Sequence, residues 1–133
     1  MAVRLQDRAV QGRKGRVGGQ GVAKRKATLA ERRHMAAVAS LGCIVDTLEG
    51  NPGVPAEIHH IRTGTGAGLR ASHLRVLPLC PLHHRGRLGI HGPLGRGFVA
   101  HLGLTELDLL ALVERALELQ SARAGAAAVG RYQ

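Results

Sequence analysis

Histidines are concentrated between residues 56 and 93, where two adjacent pairs, His59-His60 and His83-His84, are followed by His91. Imidazole is the commonest metal ligand among protein side chains, and its ordinary pKa lets it act as a base near neutral pH. Because one short window holds so many imidazoles, the pattern predicts a metal site with a base beside it.

A second set of residues has the spacing of a zinc site. Two residues separate Cys43 from Asp46, and two separate Cys80 from His83. This gap lets a turn direct both ends at one tetrahedral zinc ion, which Asp binds through an oxygen. Two other interpretations stay open: Cys43 is a small buried hydrophobic residue with Asp46 in a turn, or Cys43 and Cys80 form a disulfide.

Two short strands are predicted to carry the first histidine pair, over residues 54–61 and 74–79, with a loop rich in Gly and Thr between them. Successive side chains of a strand point to opposite faces of the sheet. We therefore expect His59 and His60 to have different roles, one as a metal ligand and the other as a base.

A short helix is predicted to follow the second strand, because Pro81 suits the first position of a helix. Cys80 and His83 then share one helical face and one zinc site. His84 lies about 100° further round the helix and faces a second site. His91 approaches that second site from beyond the helix.

Two longer helices flank this region. Thr28 and Glu31 have the spacing of a capping box at the start of the first helix, and Gly42 suits the left-handed residue that ends it. The second helix begins at Thr105, has acidic residues in its first turn and carries a broad apolar face as far as residue 120.

The chain is strongly basic, with 19 Lys and Arg, nine Asp and Glu, and a net charge of +10. Such a charge indicates a polyanionic partner, most often nucleic acid. Residues 1–27 have no periodic apolar face and predict a disordered arm that binds DNA phosphates or, alternatively, only solubilises the chain. The basic residues predicted to contact nucleic acid are Arg13, Lys14, Arg16, Lys24, Arg25, Lys26, Arg62 and Arg85.

A chain of 133 residues accommodates one small domain, which we place at residues 28–120, with a flexible tail at 121–133. Two aromatic residues and 19 glycines leave a thin aliphatic core. Small domains of this kind often need a metal or a disulfide for stability. No apolar run approaches the roughly 18 residues of a membrane span. Because no signal-peptide pattern is evident either, we expect a cytoplasmic protein.

The ordered set of motifs resembles the HNH, or ββα-metal, nuclease fold. It is most similar to the phage recombination-enhancement (Ref) nucleases, which act on DNA together with the RecA filament of the host. The resemblance covers residues 28–119. Its motifs are LGC at 41–43, AEIHHI at 56–61, LCPLHHR at 79–85, IHG at 90–92 and the segment 98–110.

The resemblance implies a catalytic metal centre. His59, His84 and His91 would bind the catalytic ion, and His60 would be the general base. Nucleases of this type commonly work with magnesium, whereas three imidazoles suit zinc or another first-row metal, so the ion stays open among Mg²⁺, Mn²⁺ and Zn²⁺. The asparagine of the HNH name is missing. His73 stands near its place, either to orient His60 or as an ordinary histidine of a surface loop.

The resemblance also implies a structural zinc ion held by Cys43, Cys80 and His83. Asp46 stands where the family has the second cysteine of a Cys-x-x-Cys knuckle, and its carboxylate would complete the site.

The sequence therefore predicts an α+β protein with a small ββα-metal (HNH) domain, flanking N- and C-terminal helices and a disordered basic arm. The predicted function is a metal-dependent DNA endonuclease with a RecA-linked role in recombination, in a prokaryotic or phage-infected cell. Two rival interpretations stay open. One is a zinc-stabilised module that binds nucleic acid without catalysis, and the other is an HNH restriction-type endonuclease.

Overall fold

The computed structural model of the chain describes residues 25–66, 71–93 and 101–130. It is a small α+β fold with one two-stranded sheet, as predicted. The elements are α1 (Leu29–Ser40), α2 (Ile44–Leu48), β1 (Glu57–His60), β2 (Val76–Leu79), α3 (Pro81–Arg85) and α4 (Glu106–Val129). Within the described ranges, no helix is both long enough and apolar enough to cross a membrane.

The two strands are antiparallel and form the centre of the fold. His59 of β1 lies opposite Leu77 of β2, and His60 lies opposite Val76. Both strands are shorter than the predicted ones. Every residue of β2 is buried, since α1, α2 and α4 all contact this strand. The sheet thus presents the β1 histidines while β2 anchors them to the core.

The core is small and almost entirely aliphatic, as the composition predicts. A chain with so few large side chains buries limited apolar area, so additional cross-links would add appreciably to its stability. Both cysteines belong to this core and are free thiols rather than a disulfide. The fully buried aliphatic residues are Val38, Val45, Ile61, Val76, Leu77, Leu79, Leu109 and Val113.

The start and end of α1 follow the sequence prediction. The Glu31 amide donates to the Thr28 hydroxyl over 3.1 Å, and the Thr28 amide donates to the Glu31 carboxylate over 2.7 Å. Gly42 has φ +76°, and a Cβ there would lie 3.0 Å from the Val54 carbonyl oxygen. The next amide, that of Cys43, donates to that same oxygen. The glycine therefore lets the chain turn and fixes Cys43 beside the core.

Two helical segments differ from the prediction. Residues 44–48 form helix α2, whereas the sequence predicts only a turn at Cys43–Asp46 followed by a loop. Helix α4 continues to Val129, so residues 121–129 are helical where the sequence predicts a flexible tail from residue 121. This segment is exposed and rich in alanine, which favours helix without needing a buried face.

Most of the predicted basic arm lies outside the described residues. Arg13, Lys14, Arg16 and Lys24 belong to that part, and the disorder of the arm stays a prediction. Lys26 lies in the described part and is exposed. Arg25 binds the Glu31 carboxylate over 2.7 Å, so the root of the arm is tied to the start of α1.

Candidate metal centres

Four side chains converge at the edge of the core with the donor atoms of a zinc site. The donor atoms of Cys43, Asp46, Cys80 and His83 all lie within 4.8 Å of one another. His83 Nδ1 is 3.4 Å from Cys43 Sγ, 3.3 Å from Cys80 Sγ and 3.2 Å from Asp46 Oδ2. Two atoms bound to one tetrahedral zinc ion are roughly 3.3–3.8 Å apart, given zinc bonds of about 2.0–2.3 Å. The spacing therefore fits a tetrahedral ion, with His83 binding through Nδ1.

The starts of two short helices create this arrangement. Cys43 is the N-cap of α2 with Asp46 in its first turn, and Cys80 is the N-cap of α3 with His83 three residues later. The N-cap side chain and the side chain three residues on are the pair that meet in a capping box. Each helix thus directs two donors to one point, and the packing of both helices on β2 brings the two pairs together.

Cys43 and Asp46 influence each other's protonation within this four-residue cluster. Burial first, and then the nearby Asp46 carboxylate, raise the pKa of the Cys43 thiol to about 12. The hydrogen bond from Cys43 in turn lowers the pKa of Asp46. Without an ion, the Cys43 thiol therefore keeps its proton and donates a hydrogen bond to the Asp46 carboxylate. Zinc would displace that proton, which couples metal binding to proton release.

Three histidines form a second cluster, to which α3 contributes His84. The donor atoms of His59, His84 and His91 lie within 4.8 Å of one another, and His59 Nδ1 is 3.1 Å from His91 Nε2. His59 is buried, His84 is half-buried and His91 is exposed. Three protein donors with a solvent-facing side are the pattern of a catalytic site, which keeps a coordination position for substrate.

The positions of these histidines depend on β1 and on the tight turns after α3. His59 comes from β1 and His84 from α3. The amide of His91 donates to the His84 carbonyl over 2.9 Å, which holds the turn against the helix. A Cβ on Gly92 would lie only 2.0 Å from the Gly86 carbonyl oxygen. The close return of the chain at His91 therefore requires glycine at position 92.

Two carboxylates contact the outer nitrogens of this cluster. Glu106 Oε1 lies 2.7 Å from His59 Nε2, and Glu57 Oε2 lies 2.8 Å from His84 Nδ1. A carboxylate only accepts hydrogen bonds, so each contact places the imidazole N–H on the outer nitrogen and the lone pair on the inner one. Burial lowers the pKa of His59, and Glu106 opposes that shift. His59 is therefore neutral at pH 7, the form that binds metal.

Sequence reasoning did not identify these two carboxylates as part of a site. Glu57 lies two residues before His59 on the same face of β1, so the strand periodicity gave a usable signal. Glu106 is 47 residues from His59, and the sequence identifies it only as an acidic residue in the first turn of a helix. No local sequence pattern predicts that Glu106 contacts His59.

His60 faces away from His59 across the strand and pairs with His73. The distance from His60 Nε2 to His73 Nδ1 is 2.9 Å, and the ring centroids are 5.0 Å apart. Of the two roles left open for His73, the structure thus favours contact with His60. A surface cavity of about 270 Å³ adjoins this pair and is lined by Arg25, Glu31, Ala71, Ser72 and His73.

The arginines predicted to bind DNA differ in their surroundings. Arg62, at the end of β1, is exposed. Arg85 is also exposed but binds the Glu57 carboxylate, which in turn contacts His84. Arg85 is therefore linked to the three-histidine cluster through one acidic residue.

Comparison with known proteins agrees with the geometry. A search of curated proteins returned no match. A family model described as recombination enhancement, RecA-dependent nuclease, matches residues 27–103, more than half of the chain. The matched residues include every member of both clusters and end before α4. The chain therefore belongs to the family of recombination-enhancement, RecA-dependent nucleases.

Proposed function

We propose that the protein is an HNH-type endonuclease that hydrolyses DNA phosphodiester bonds with a divalent metal ion, in RecA-linked recombination. The observation that carries this proposal is the three-histidine cluster, whose donor nitrogens lie within 4.8 Å of one another and whose member His91 is exposed. The family membership supports a nuclease that depends on RecA. The HNH class and the metal dependence are our own inferences from the residues.

The three imidazoles suit a divalent cation. His59 Nδ1 and His91 Nε2 are 3.1 Å apart, close to the separation expected for two nitrogens on one ion. Neutral imidazoles suit zinc and other first-row ions, while magnesium prefers oxygen ligands, so we include Mg²⁺, Mn²⁺ and Zn²⁺ as candidates. The ion would stabilise negative charge that develops on the phosphate and on the leaving oxygen.

His60 is the proposed general base. It neighbours the metal ligand His59 in sequence but points to the other face of β1, so it does not compete for the same ion. The hydrogen bond to His73 fixes the orientation of the His60 ring. It also gives the imidazolium a partner once His60 has taken a proton from the attacking water.

The four-residue cluster is the proposed structural zinc site. Two sulfurs, one nitrogen and one oxygen would complete a tetrahedron, which leaves no position for substrate. Both cysteines are buried in the core. Zinc would therefore join the starts of α2 and α3 and supplement the thin aliphatic core.

DNA binding is proposed to rest mainly on charge. The net charge of +10 and the basic arm would supply phosphate contacts, which depend strongly on salt and carry no base information. We therefore expect low sequence specificity. Arg62, which is exposed at the end of β1, is positioned to contribute from the folded domain.

A plasmid-nicking assay tests the proposal. Wild type, His60→Ala and the control His101→Ala are compared with Mg²⁺, Mn²⁺ or Zn²⁺, with and without RecA on the DNA. His101 is exposed and belongs to neither cluster. Loss of a general base lowers the rate by roughly 10²–10⁴-fold, so His60→Ala should nearly abolish nicking while His101→Ala retains it. Unchanged nicking by His60→Ala would remove His60 as the base.

The same assay separates the rival functions. The closed four-residue cluster and the basic charge would also fit a nucleic-acid-binding module without catalysis. A wild type that binds DNA but cuts under none of these conditions favours that module. Cutting at defined sites without RecA favours a restriction-type endonuclease.

A further inference from the structure

We propose that Glu106 is a positioning residue of the metal centre. Its carboxylate holds the ring of His59 so that Nδ1 faces the catalytic ion, and α4 thereby completes a centre whose ligands all come from other elements. This inference rests on the proposed function, because it assumes that the three-histidine cluster binds an ion. Glu106 lies outside the residues matched by the family model.

Both oxygens of the Glu106 carboxylate are engaged. Oε1 lies 2.7 Å from His59 Nε2, and Oε2 accepts a hydrogen bond from the Thr63 hydroxyl. The Glu106 side chain is 18% exposed and that of His59 is 3% exposed, so water competes little for the contact between them. Thr63 and His59 therefore fix the carboxylate from two directions, and the carboxylate in turn fixes the imidazole.

The local sequence leaves Glu106 available for this contact. Helix α4 is capped by Thr105 and Asp108, whose side chains and amides satisfy each other reciprocally. Glu106, the first residue of α4, is not a member of this capping box. One turn further on, Leu109 and Leu110 are buried in the core and hold the start of α4 in place. The helix thus presents a rigidly placed carboxylate to β1.

The contact determines which nitrogen of His59 is available to metal. Because a carboxylate only accepts, the proton of the neutral ring resides on Nε2 and the lone pair on Nδ1. Nδ1 is the atom that faces His91 Nε2. Without Glu106, the buried ring would lose its only charged partner in the described part of the chain. The ring would then be free to carry its proton on Nδ1, the form that cannot bind the ion there.

Glu57 provides an internal comparison. Its carboxylate contacts His84 but also binds Arg85, and its side chain is 35% exposed. Water and Arg85 both compete for that carboxylate, which weakens its hold on His84. We therefore expect replacement of Glu106 to disturb the metal centre more than replacement of Glu57.

The first measurement is the protonation of His59 in the metal-free cluster. Nitrogen NMR of the imidazoles distinguishes the two neutral forms. With zinc loaded only in the four-residue cluster, wild type should carry the His59 proton on Nε2. Glu106→Ala should shift the population towards Nδ1. Glu106→Gln should retain the wild-type form in part, because its amide oxygen still accepts a hydrogen bond.

The second measurement is Mn²⁺ binding, followed by loss of the free-ion signal in electron paramagnetic resonance. Replacement of a partner that orients a metal-binding histidine typically costs about 10–100-fold in affinity. We expect a loss of that size for Glu106→Ala, a smaller loss for Glu106→Gln and none for Glu114→Ala. Glu114 is an exposed residue of the same helix and serves as the matched charge control. Nicking should fall in the same order.

These measurements distinguish a failure of the proposed role of Glu106 from a failure of the proposed function. If wild type binds Mn²⁺ and nicks DNA but the Glu106 variants match it in His59 protonation and affinity, the role of Glu106 is overturned. If wild type binds no Mn²⁺ at the histidines and cuts no DNA, the proposed function is overturned instead. Circular dichroism and zinc content check the fold. If Glu106→Ala does not fold, Thr63→Val is the alternative variant. It removes one of the two contacts that hold the Glu106 carboxylate, and Thr63 is exposed. Unchanged Mn²⁺ affinity of Thr63→Val would also contradict the proposal.

Discussion

The two clusters are built side by side but differ in access. Both cysteines of the four-residue cluster are buried, and its four donor atoms lie within 4.8 Å of one another. The three-histidine cluster begins at the buried His59 and ends at the exposed His91. Helix α3 serves both, with His83 directed to one cluster and His84 to the other. The difference fits the proposed roles, in which the first cluster stabilises the fold and the second binds the ion that substrate reaches.

The largest expected effects are a loss of stability in Cys80→Ser and a loss of nicking activity in His91→Ala. Cys80→Ser should weaken zinc binding and lower the free energy of unfolding by about 3 kcal/mol. This is a fraction of the roughly 10–16 kcal/mol of binding free energy that structural zinc sites supply. For a domain of this size, the melting temperature should fall by roughly 12–24 °C. His91→Ala, at an exposed residue, should leave the melting temperature almost unchanged but lower nicking by about 100-fold or more. Calorimetry and the nicking assay check both. Equal effects of the two variants on stability would contradict the division of roles.

A smaller effect is expected where the donor set itself is improved. Asp46→Cys replaces the carboxylate oxygen with a thiolate, which zinc favours in structural sites. Zinc affinity should rise and the melting temperature should increase by about 4–8 °C for each kcal/mol gained. Asp46→Ala is the opposite control and should lower both. If neither substitution alters zinc affinity, Asp46 is not a ligand.

The smallest effect concerns α1, which contributes to neither donor set. The Thr28 amide and then Arg25 lower the pKa of Glu31 to about 2. Because this pKa lies below that of the unfolded chain, the stabilisation is present above about pH 4.5 and is lost as the pH falls towards 2. Glu31→Gln should therefore be less stable than wild type at pH 7, and the difference should disappear near pH 2.

The measurement for Glu31 is the difference in melting temperature between the two proteins across that pH range. Zinc loss in acid affects both proteins, so it cancels from the difference. Glu118→Gln, which removes an exposed ion pair with Arg115, should show almost no pH-dependent difference. If the melting temperatures of wild type and Glu31→Gln still differed at pH 2, the charge of the Glu31 carboxylate would not be the cause of the difference.

Much of the candidate site could be predicted because its ligands are close in sequence. Cys43 with Asp46, and Cys80 with His83, are spaced for the first turn of a helix, and strand alternation separates His59 from His60. The structure brings together the same two donor sets. That these sets bind metal stays a prediction.

The remaining features depend on contacts that local patterns do not encode. A five-residue helix such as α2 is marginal by propensity, and it forms where Ile44 and Val45 are buried in the core. The extension of α4 was missed because apolar periodicity reports burial, whereas residues 121–129 are exposed. Glu106 reaches His59 only through the packing of α4, which no spacing in the sequence reveals.

The adjacency of His83 and His84 constrains how this chain can change over evolutionary time. Each residue added to a helix turns everything beyond it by about 100°. An insertion or deletion within the first turn of α3 would therefore misdirect donor side chains of both clusters in one event. We expect lineages of this protein to gain or lose the two sites together, and to tolerate length variation in loops but not between Cys80 and His84.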